Sequence, residues 1–328
     1  MAETIIADEF GRSFRYLRIS VTDACNFSCS YCLPNGYCKD PTADSPMTHS
    51  EFKHLVAGFA ALGVRKIRIT GGEPTLRRDI VELVQSASET PGIEQVVLST
   101  NGYRLKGLVP ALRKAGLQGV NVSVDSLDPE LFQRITKTSL LPQILNGLEA
   151  SLDAGLRVKL NAVLMRDLNS EDLPRFLDYI RHRPISVRFI ELMRTGDHPD
   201  FFESHHVRAE ALEEWLVSQG WQLRERGPLD GPAREYEHAA YAGRIGVIAP
   251  YSKDFCGNCN RLRISCRGEL KLCLFGDKQH SLRAFIQNES QQSELHAAVH
   301  YLLKGKKISH FLQEGEYGNT RQFASIGG

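Results

Sequence analysis

A chain of 328 residues with 42% hydrophobic and 24% charged side chains is a folded globular protein, long enough for a large α/β domain with an appended module. Its net charge of +1 argues against a protein that coats nucleic acid or a membrane surface, so an anionic ligand must be met by local clusters of Arg and Lys. The acidic start MAETIIADEF lacks a signal-peptide pattern, and no apolar run approaches the roughly 18 residues of a membrane helix. A cytoplasmic protein is expected.

Strand and helix patterns alternate through the first two thirds. Phe14–Val21 reads as a strand, with Tyr16, Arg18 and Ser20 on one face and Leu17 and Ile19 on the other. Thr48-His-Ser-Glu51 has capping-box form, and the apolar positions Phe52, Leu55, Val56, Phe59 and Leu62 continue it as a helix that Gly63 stops. Lys66–Thr70 is the next strand and Asp79–Thr90 the next helix. Further strands are expected at Gln95–Thr100, Val120–Val124, Val158–Leu164 and Val187–Leu192. Six strands with helices between them predict βαβ units, a parallel sheet and a partial (β/α)6 TIM-like barrel with ligand groups at the C-terminal strand ends. The alternation loosens after about Gln219, and Gly227-Pro-Leu-Asp-Gly-Pro232 is rich in turn formers. The expected division is a barrel domain over 1–225 and a smaller C-terminal domain over 226–328. His205-His206 is expected on a surface loop.

Eight cysteines remain to be explained: Cys25, Cys29, Cys32 and Cys38, then Cys256, Cys259, Cys266 and Cys273. Two short-spaced groups more than 200 residues apart point to two metal sites rather than to disulfides. Cys25-Asn-Phe-Ser-Cys29-Ser-Tyr-Cys32 is a C-x₃-C-x₂-C loop, whose three thiolates suit three irons of a 4Fe–4S cube and leave the fourth iron open. Zinc is the alternative, with Cys38 as a recruited fourth ligand. In the second group the C-x₂-C spacing alone admits zinc or iron–sulfur equally. Arg261 and Arg263 lie between its ligands, forks of donors suited to phosphate or a purine edge. No G-x₄-G-K-S/T loop is present, so a nucleotide here would be a substrate rather than fuel.

The first loop, with Tyr31 before its third cysteine, and Gly71-Gly72-Glu73-Pro74 after the second strand resemble the defining motifs of the radical S-adenosylmethionine (SAM) superfamily. The C-x₂-C-x₁₃-C pattern of Cys256, Cys259 and Cys273 resembles that of the GTP 3′,8-cyclases, a radical SAM family of molybdenum cofactor biosynthesis. So do Tyr16-Leu-Arg-Ile-Ser20, Asn121-Val-Ser-Val-Asp-Ser126, Arg188-Phe-Ile-Glu-Leu-Met193 and the terminal Ile326-Gly-Gly328. The resemblance spans nearly the whole chain.

It implies two 4Fe–4S clusters, on Cys25, Cys29 and Cys32 and on Cys256, Cys259 and Cys273, with Cys266 a bystander. It implies SAM contacts at Tyr31, Gly72, Ser123 and Met193, the Gly-Gly backbone passing close to the ligand, and GTP contacts at Arg18, Arg68, Thr100, Lys159, Arg261, Leu262 and Arg263. Gly327 and Gly328 would reach into the barrel beside GTP, although a frayed terminus is the plainer reading of such a tail. The implied activity is that of a lyase converting GTP to (8S)-3′,8-cyclo-7,8-dihydroguanosine 5′-triphosphate. The implied partners are an electron donor, a downstream cyclic pyranopterin monophosphate synthase and a second copy of the chain in a homodimer. The alternative is a radical SAM enzyme with an auxiliary cluster that modifies a peptide.

Overall fold

The computed structural model describes residues 5–194, 199–276, 278–318, 324 and 326. Its strands in chain order are β1 (Tyr16–Ser20), β2 (Lys66–Thr70), β3 (Gln95–Thr100), β4 (Gly119–Ser123), β5 (Arg157–Leu164) and β6 (Ser186–Glu191). Then come β7 (Gln222–Leu223), β8 (Arg234–Glu237), β9 (Arg244–Ile248), β10 (Arg261–Ile264), β11 (Glu269–Lys271) and β12 (His280–Ser281). The six expected strands are all present, each within two residues of the expected bounds. The first helix is His49–Ala61, and its capping box forms as the sequence predicts, Thr48 accepting from the Glu51 N–H and Glu51 reaching back to the Thr48 N–H.

Strands β1 to β6 pair in parallel and in sequence order, each joined to the next through helical segments. This is the βα series of the expected partial barrel. Its edges are occupied by strands from the far end of the chain: β10 pairs in parallel with β1, and β9 in parallel with β6. The sheet order is therefore β12-β11-β10-β1-β2-β3-β4-β5-β6-β9-β8-β7, with antiparallel ribbons at both ends. An edge strand would otherwise present unpaired backbone groups, and here β9 and β10 cover both edges of the series.

The main core lies between the sheet and its helices, where Leu17, Ile19, Ile67, Ile69, Leu98, Val120, Val122 and Leu160 are each 0% exposed or nearly so. A second apolar cluster of Tyr251, Leu274, Phe275, Leu312 and Ile326 sits under the second cysteine group, with Met193 and Cys273 packed against it. Among the described residues no helix is long and apolar enough to cross a membrane.

Candidate active site

Strand alternation builds the site. On β1, Leu17 and Ile19 enter the core while Tyr16 and Arg18 line a cavity on the other face. The same parity places Arg68 of β2, Asn121 of β4, Asn161 of β5, Arg188 and Ile190 of β6, and Arg261 and Arg263 of β10 on that cavity. Register then sets them side by side: Arg18 opposite both Arg263 and Arg68, and Tyr16 opposite both Arg261 and Lys66. A row of three arginines thus crosses three adjacent strands about 4.8 Å apart.

Such a row is electrostatically costly. Burial and then neighbouring Arg263 hold the Arg18 guanidinium well below its ordinary pKa, and burial and then Arg261 bring Arg263 down to about 10. Burial alone would raise the Tyr16 phenol, yet Arg68, Lys66, Arg18 and Arg261 together bring it down to about 7. The Nε atoms of Arg68 and Arg261, Asn121 Nδ2 and Asn161 Oδ1 are buried with no hydrogen-bond partner among the described residues. Positive charge and open donors in one buried place define a site for a polyanion carrying hydrogen-bonding groups.

Cys256, Cys259 and Cys273 line this basic cavity, and Cys266 does not. Cys266 is fully buried, 3.5 Å from the Arg267 guanidinium, and Cys38 is exposed. Arg12 pins the loop of the second group by donating to Cys256 O, Lys307 O and Ile308 O while paired with Asp8. Burial would raise the Cys259 thiol, but Arg261, Lys306 and Arg12 bring it down to about 7, close to the thiolate form that ligates iron.

Two of the expected substrate contacts are arranged differently. The Lys159 ammonium donates to Glu235 Oε1 at 2.9 Å, an oxygen it shares with Arg188 at 2.6 Å. Leu262 is 0% exposed in the main core, so only its backbone is available on the cavity side. Glu235, on β8, carried no recognisable signal in the sequence, because its partners are 47 and 76 residues away along the chain.

The first cysteine group lines a second cavity. Cys25, Cys29, Tyr31, Cys32, Gly72, Thr100, Ser123 and Met193 border it together, which gathers the expected SAM contacts and one expected GTP contact, Thr100. The cavities adjoin, sharing Asn161, Ile190 and Met193 as lining residues. The loop is closed by Cys32 N–H and Leu33 N–H donating to Cys29 O, both at 3.0 Å. A Cβ on Gly72 would lie 2.3 Å from Ala24 O and 2.6 Å from Asp23 O, so this glycine is required by the base of the cysteine loop itself, beyond any approach to a ligand. Glu73 clamps two strand ends, its carboxylate accepting from Thr75, from the Thr100 hydroxyl at 2.7 Å and from Asn101 N–H at 2.6 Å.

Here the thiols move the other way. Burial raises Cys25, burial followed by Asp125 and the neighbouring cysteines raises Cys29 well above its usual value, and burial followed by Cys25 raises Cys32 to about 12. The three thiols are therefore close enough to repel as thiolates, a donor set that fits a cationic iron cluster supplying the opposing charge. Asp125, raised to about 6 by burial, accepts from the Tyr31 hydroxyl at 3.0 Å and from Val163 N–H at 2.9 Å.

His205-His206 departs from expectation. His205 closes the helix Pro199–His205, and His206 is half-buried with Nε2 2.9 Å from Glu191 Oε1. Glu191 was also missed, and it lines the cavity of the first cysteines. Gly327 and Gly328 lie outside the described residues.

Comparison with known proteins now bears on the geometry. Residues 19–180 match the model of the Radical SAM superfamily, and residues 185–312 that of Molybdenum Cofactor Synthesis C. GTP 3′,8-cyclase of Pasteurella multocida is 46% identical over 98% of this chain and 96% of its own, and that of Vibrio parahaemolyticus 48% identical over 98% and 97%. The chain belongs to the GTP 3′,8-cyclase family. As radical SAM proteins, its members use SAM and an iron–sulfur cluster. The crystal structure of Streptococcus suis SuiB bound to S-adenosylmethionine shares the fold, with a TM-score of 0.60 at 14% identity over 89% of this chain and 68% of that one.

Proposed function

We propose that this chain catalyses the radical SAM-dependent cyclisation of GTP to (8S)-3′,8-cyclo-7,8-dihydroguanosine 5′-triphosphate, the first step of molybdenum cofactor biosynthesis. The observation that carries this reading is the adjoining of a cysteine-lined cavity and a buried arginine row across shared Asn161, Ile190 and Met193. Family membership supplies the substrate.

In this reading Cys25, Cys29 and Cys32 hold a 4Fe–4S cluster, and Tyr31, Gly72, Ser123 and Met193 contact SAM. When bound, the cluster supplies the electron that cleaves SAM to methionine and a 5′-deoxyadenosyl radical. SAM held there would supply the radical that removes the 3′ hydrogen of the GTP ribose as 5′-deoxyadenosine, and closure of C3′ on C8, completed by one further electron from the electron donor and one proton from solvent, would give an isomer of GTP. Arg18, Arg68, Arg261 and Arg263 bind the triphosphate and guanine, with Thr100, Lys159 and the Leu262 backbone as further contacts. Met193 and Asn161, common to both cavities, keep the two ligands in register, which is the main contribution a protein makes to such a reaction. Cys256, Cys259 and Cys273 hold a second cluster at the substrate end. Gly327-Gly328 would position GTP, having no side chain with which to do more. The 1–225 and 226–328 division is a functional one, since β9 and β10 join the sheet of the first part. An electron donor, a downstream cyclic pyranopterin monophosphate synthase and a homodimeric state complete the reading.

The test is anaerobic incubation of the reconstituted chain with SAM, GTP and a strong reductant, followed by chromatography and mass spectrometry. An isomer of GTP should appear in step with 5′-deoxyadenosine. SAM cleavage that leaves GTP unaltered under all conditions would refute the substrate assignment.

A further inference from the structure

One arginine that the proposed chemistry leaves unused ties the two cysteine groups together. Strands β10 and β11 form an antiparallel hairpin between Cys259 and Cys273, and its turn is Ser265-Cys-Arg-Gly268. Gly268 N–H donates to Ser265 O at 3.0 Å, and Gly268 takes the left-handed backbone that such a turn needs, at φ +80°. The turn carries Arg267 to Asp23, 244 residues away along the chain. All three guanidinium nitrogens are engaged there. Nη2 donates to Asp23 Oδ2 at 2.7 Å, Nε to the Asp44 carbonyl at 3.0 Å and Nη1 to Cys266 Sγ at 3.5 Å. Asp23 Oδ1 accepts in turn from the Tyr37 hydroxyl at 3.0 Å.

Asp23 precedes Cys25, while Tyr37 and Asp44 follow Cys32, so one side chain holds both ends of the first cysteine loop. The segment leaving that loop is held from the same side. Met47 N–H donates to Cys266 O at 2.7 Å, and Arg283, also from the C-terminal part, donates to Ser45 O at 2.7 Å. Thr22 O and Ala24 O, on either side of Asp23, accept from Gly72 N–H at 2.8 Å and from Glu73 N–H at 2.7 Å. The stem 22–24 thus joins the cysteine loop to the Gly-Gly turn, and Asp23 is the residue of that stem that Arg267 grips. The pair is half-buried, with 22% and 19% of the two side chains exposed, so its attraction is partly screened. Its strength lies in a fork that closes on three acceptors at once.

We infer that Arg267 is a positioning residue for the first cysteine group: it clasps both ends of the loop and, through Asp23, sets the loop against the Gly71-Gly72 turn in the arrangement that binds SAM. This rests on the proposed assignment of Cys25, Cys29 and Cys32 to a cluster that binds SAM.

The experiment titrates SAM into the full-length, anaerobically reconstituted and reduced protein. Binding is read from the change in the electron paramagnetic resonance spectrum of the first cluster, and GTP affinity is measured by calorimetry on the same preparations. Arg267→Ala lets the loop leave its seated arrangement, and the apparent affinity falls in proportion to the seated fraction. SAM should bind about three- to tenfold more weakly, at wild-type iron content and wild-type GTP affinity. Arg267→Lys, which keeps a charge for Asp23 without the fork, should recover part of the loss. Asp23→Ala should lose at least as much as Arg267→Ala, and the double variant no more than Asp23→Ala alone, because the two residues act as one unit. An unchanged SAM affinity in Arg267→Ala, an equal loss for GTP, a loss explained by missing iron, or additive losses in the double variant would overturn the inference. Should Arg267→Ala fail to fold, Arg267→Gln, which fills similar space without the charge, takes its place with the same expectations. A wild-type spectrum that SAM does not change would instead bring down the assignment of the cluster, and the inference with it.

Discussion

The two cysteine-lined cavities share three residues and have opposite electrostatics. Around Cys25, Cys29 and Cys32 the titratable neighbours are Asp125, Glu73 and Glu191, and burial pushes Cys32 up to about 12. Around Cys256, Cys259 and Cys273 the neighbours are Arg18, Arg68, Arg188, Arg261 and Arg263, and Cys259 comes down to about 7. The difference teaches that a thiol triad does not specify its surroundings. At one end the thiols lie among carboxylates, Asp125 and Glu73, whose oxygens the protein itself occupies, and at the other the protein gathers buried cations in a cavity that suits a polyanion.

The strongest test of this contrast removes one triad. Replacing Cys25, Cys29 and Cys32 together with Ala should abolish SAM cleavage and halve a reconstituted content of about eight irons, while GTP binding survives. Loss of GTP affinity alongside would show that the ends are not independent.

The cationic end also needs an internal anion. Glu235 is paired with Arg188 and Lys159, and although burial would raise its carboxyl, those two cations hold it at about 2. Glu235→Gln leaves two buried cations facing a neutral amide and should destabilise the fold by about 3–5 kcal/mol in chemical denaturation. The folded carboxyl, at about 2, lies below its unfolded value, so its stabilisation is complete above about pH 5 and is lost as pH falls through the unfolded value toward 2. A denaturation midpoint equal to wild type at pH 7 would show that Glu235 balances nothing.

Next in size is the arginine row. Arg68→Ala and Arg263→Ala should each weaken GTP about ten- to a hundredfold by calorimetry and leave SAM affinity untouched. Equal losses for both ligands would erase the division of labour between the cavities.

Much of this was legible in the sequence and some was not, for identifiable reasons. The series β1 to β6 follows from period-two apolar patterns, and the Thr48 cap from four consecutive residues. The parity of β10 was also readable, since Arg261-Leu-Arg263 alternates by itself. That β10 lies against β1 was not, because no local pattern announces a pairing across more than 200 residues, and that pairing makes Arg18, Arg68 and Arg263 neighbours. Glu191 and Glu235 were missed for the same reason: a buried acid is recognised by its partners, and these come from other elements. Gly72 is expected at a ligand approach, and the structure adds a second reason for it, since the backbone of Asp23 and Ala24 excludes a side chain there.

The smallest expected effect concerns Tyr16, which sits between Arg261 and Lys66 in the register and has the Lys66 ammonium 4.8 Å from its ring centre. With its pKa near 7, the phenol is partly ionised at neutral pH and acts as a counter-charge for the cations of β1, β2 and β10. A bound triphosphate would take over that role, offset the cations' pull on the phenol and raise its pKa. Binding then takes up a proton, so GTP affinity should fall as pH rises above 7. Phosphate ionisation works the other way but is nearly complete by then, its second pKa being about 6. Lys66 and Lys159, each brought down to about 8 chiefly by burial, lose charge in the same range and weaken binding as well. They do so whether or not residue 16 carries a hydroxyl. The signal is therefore the difference between wild type and Tyr16→Phe in GTP affinity from pH 7 to 9. The variant should show the shallower decline, by several-fold over that range, and bind GTP more tightly than wild type at pH 9. Parallel pH profiles would show that the phenol stays neutral and that the arginine row is balanced without it.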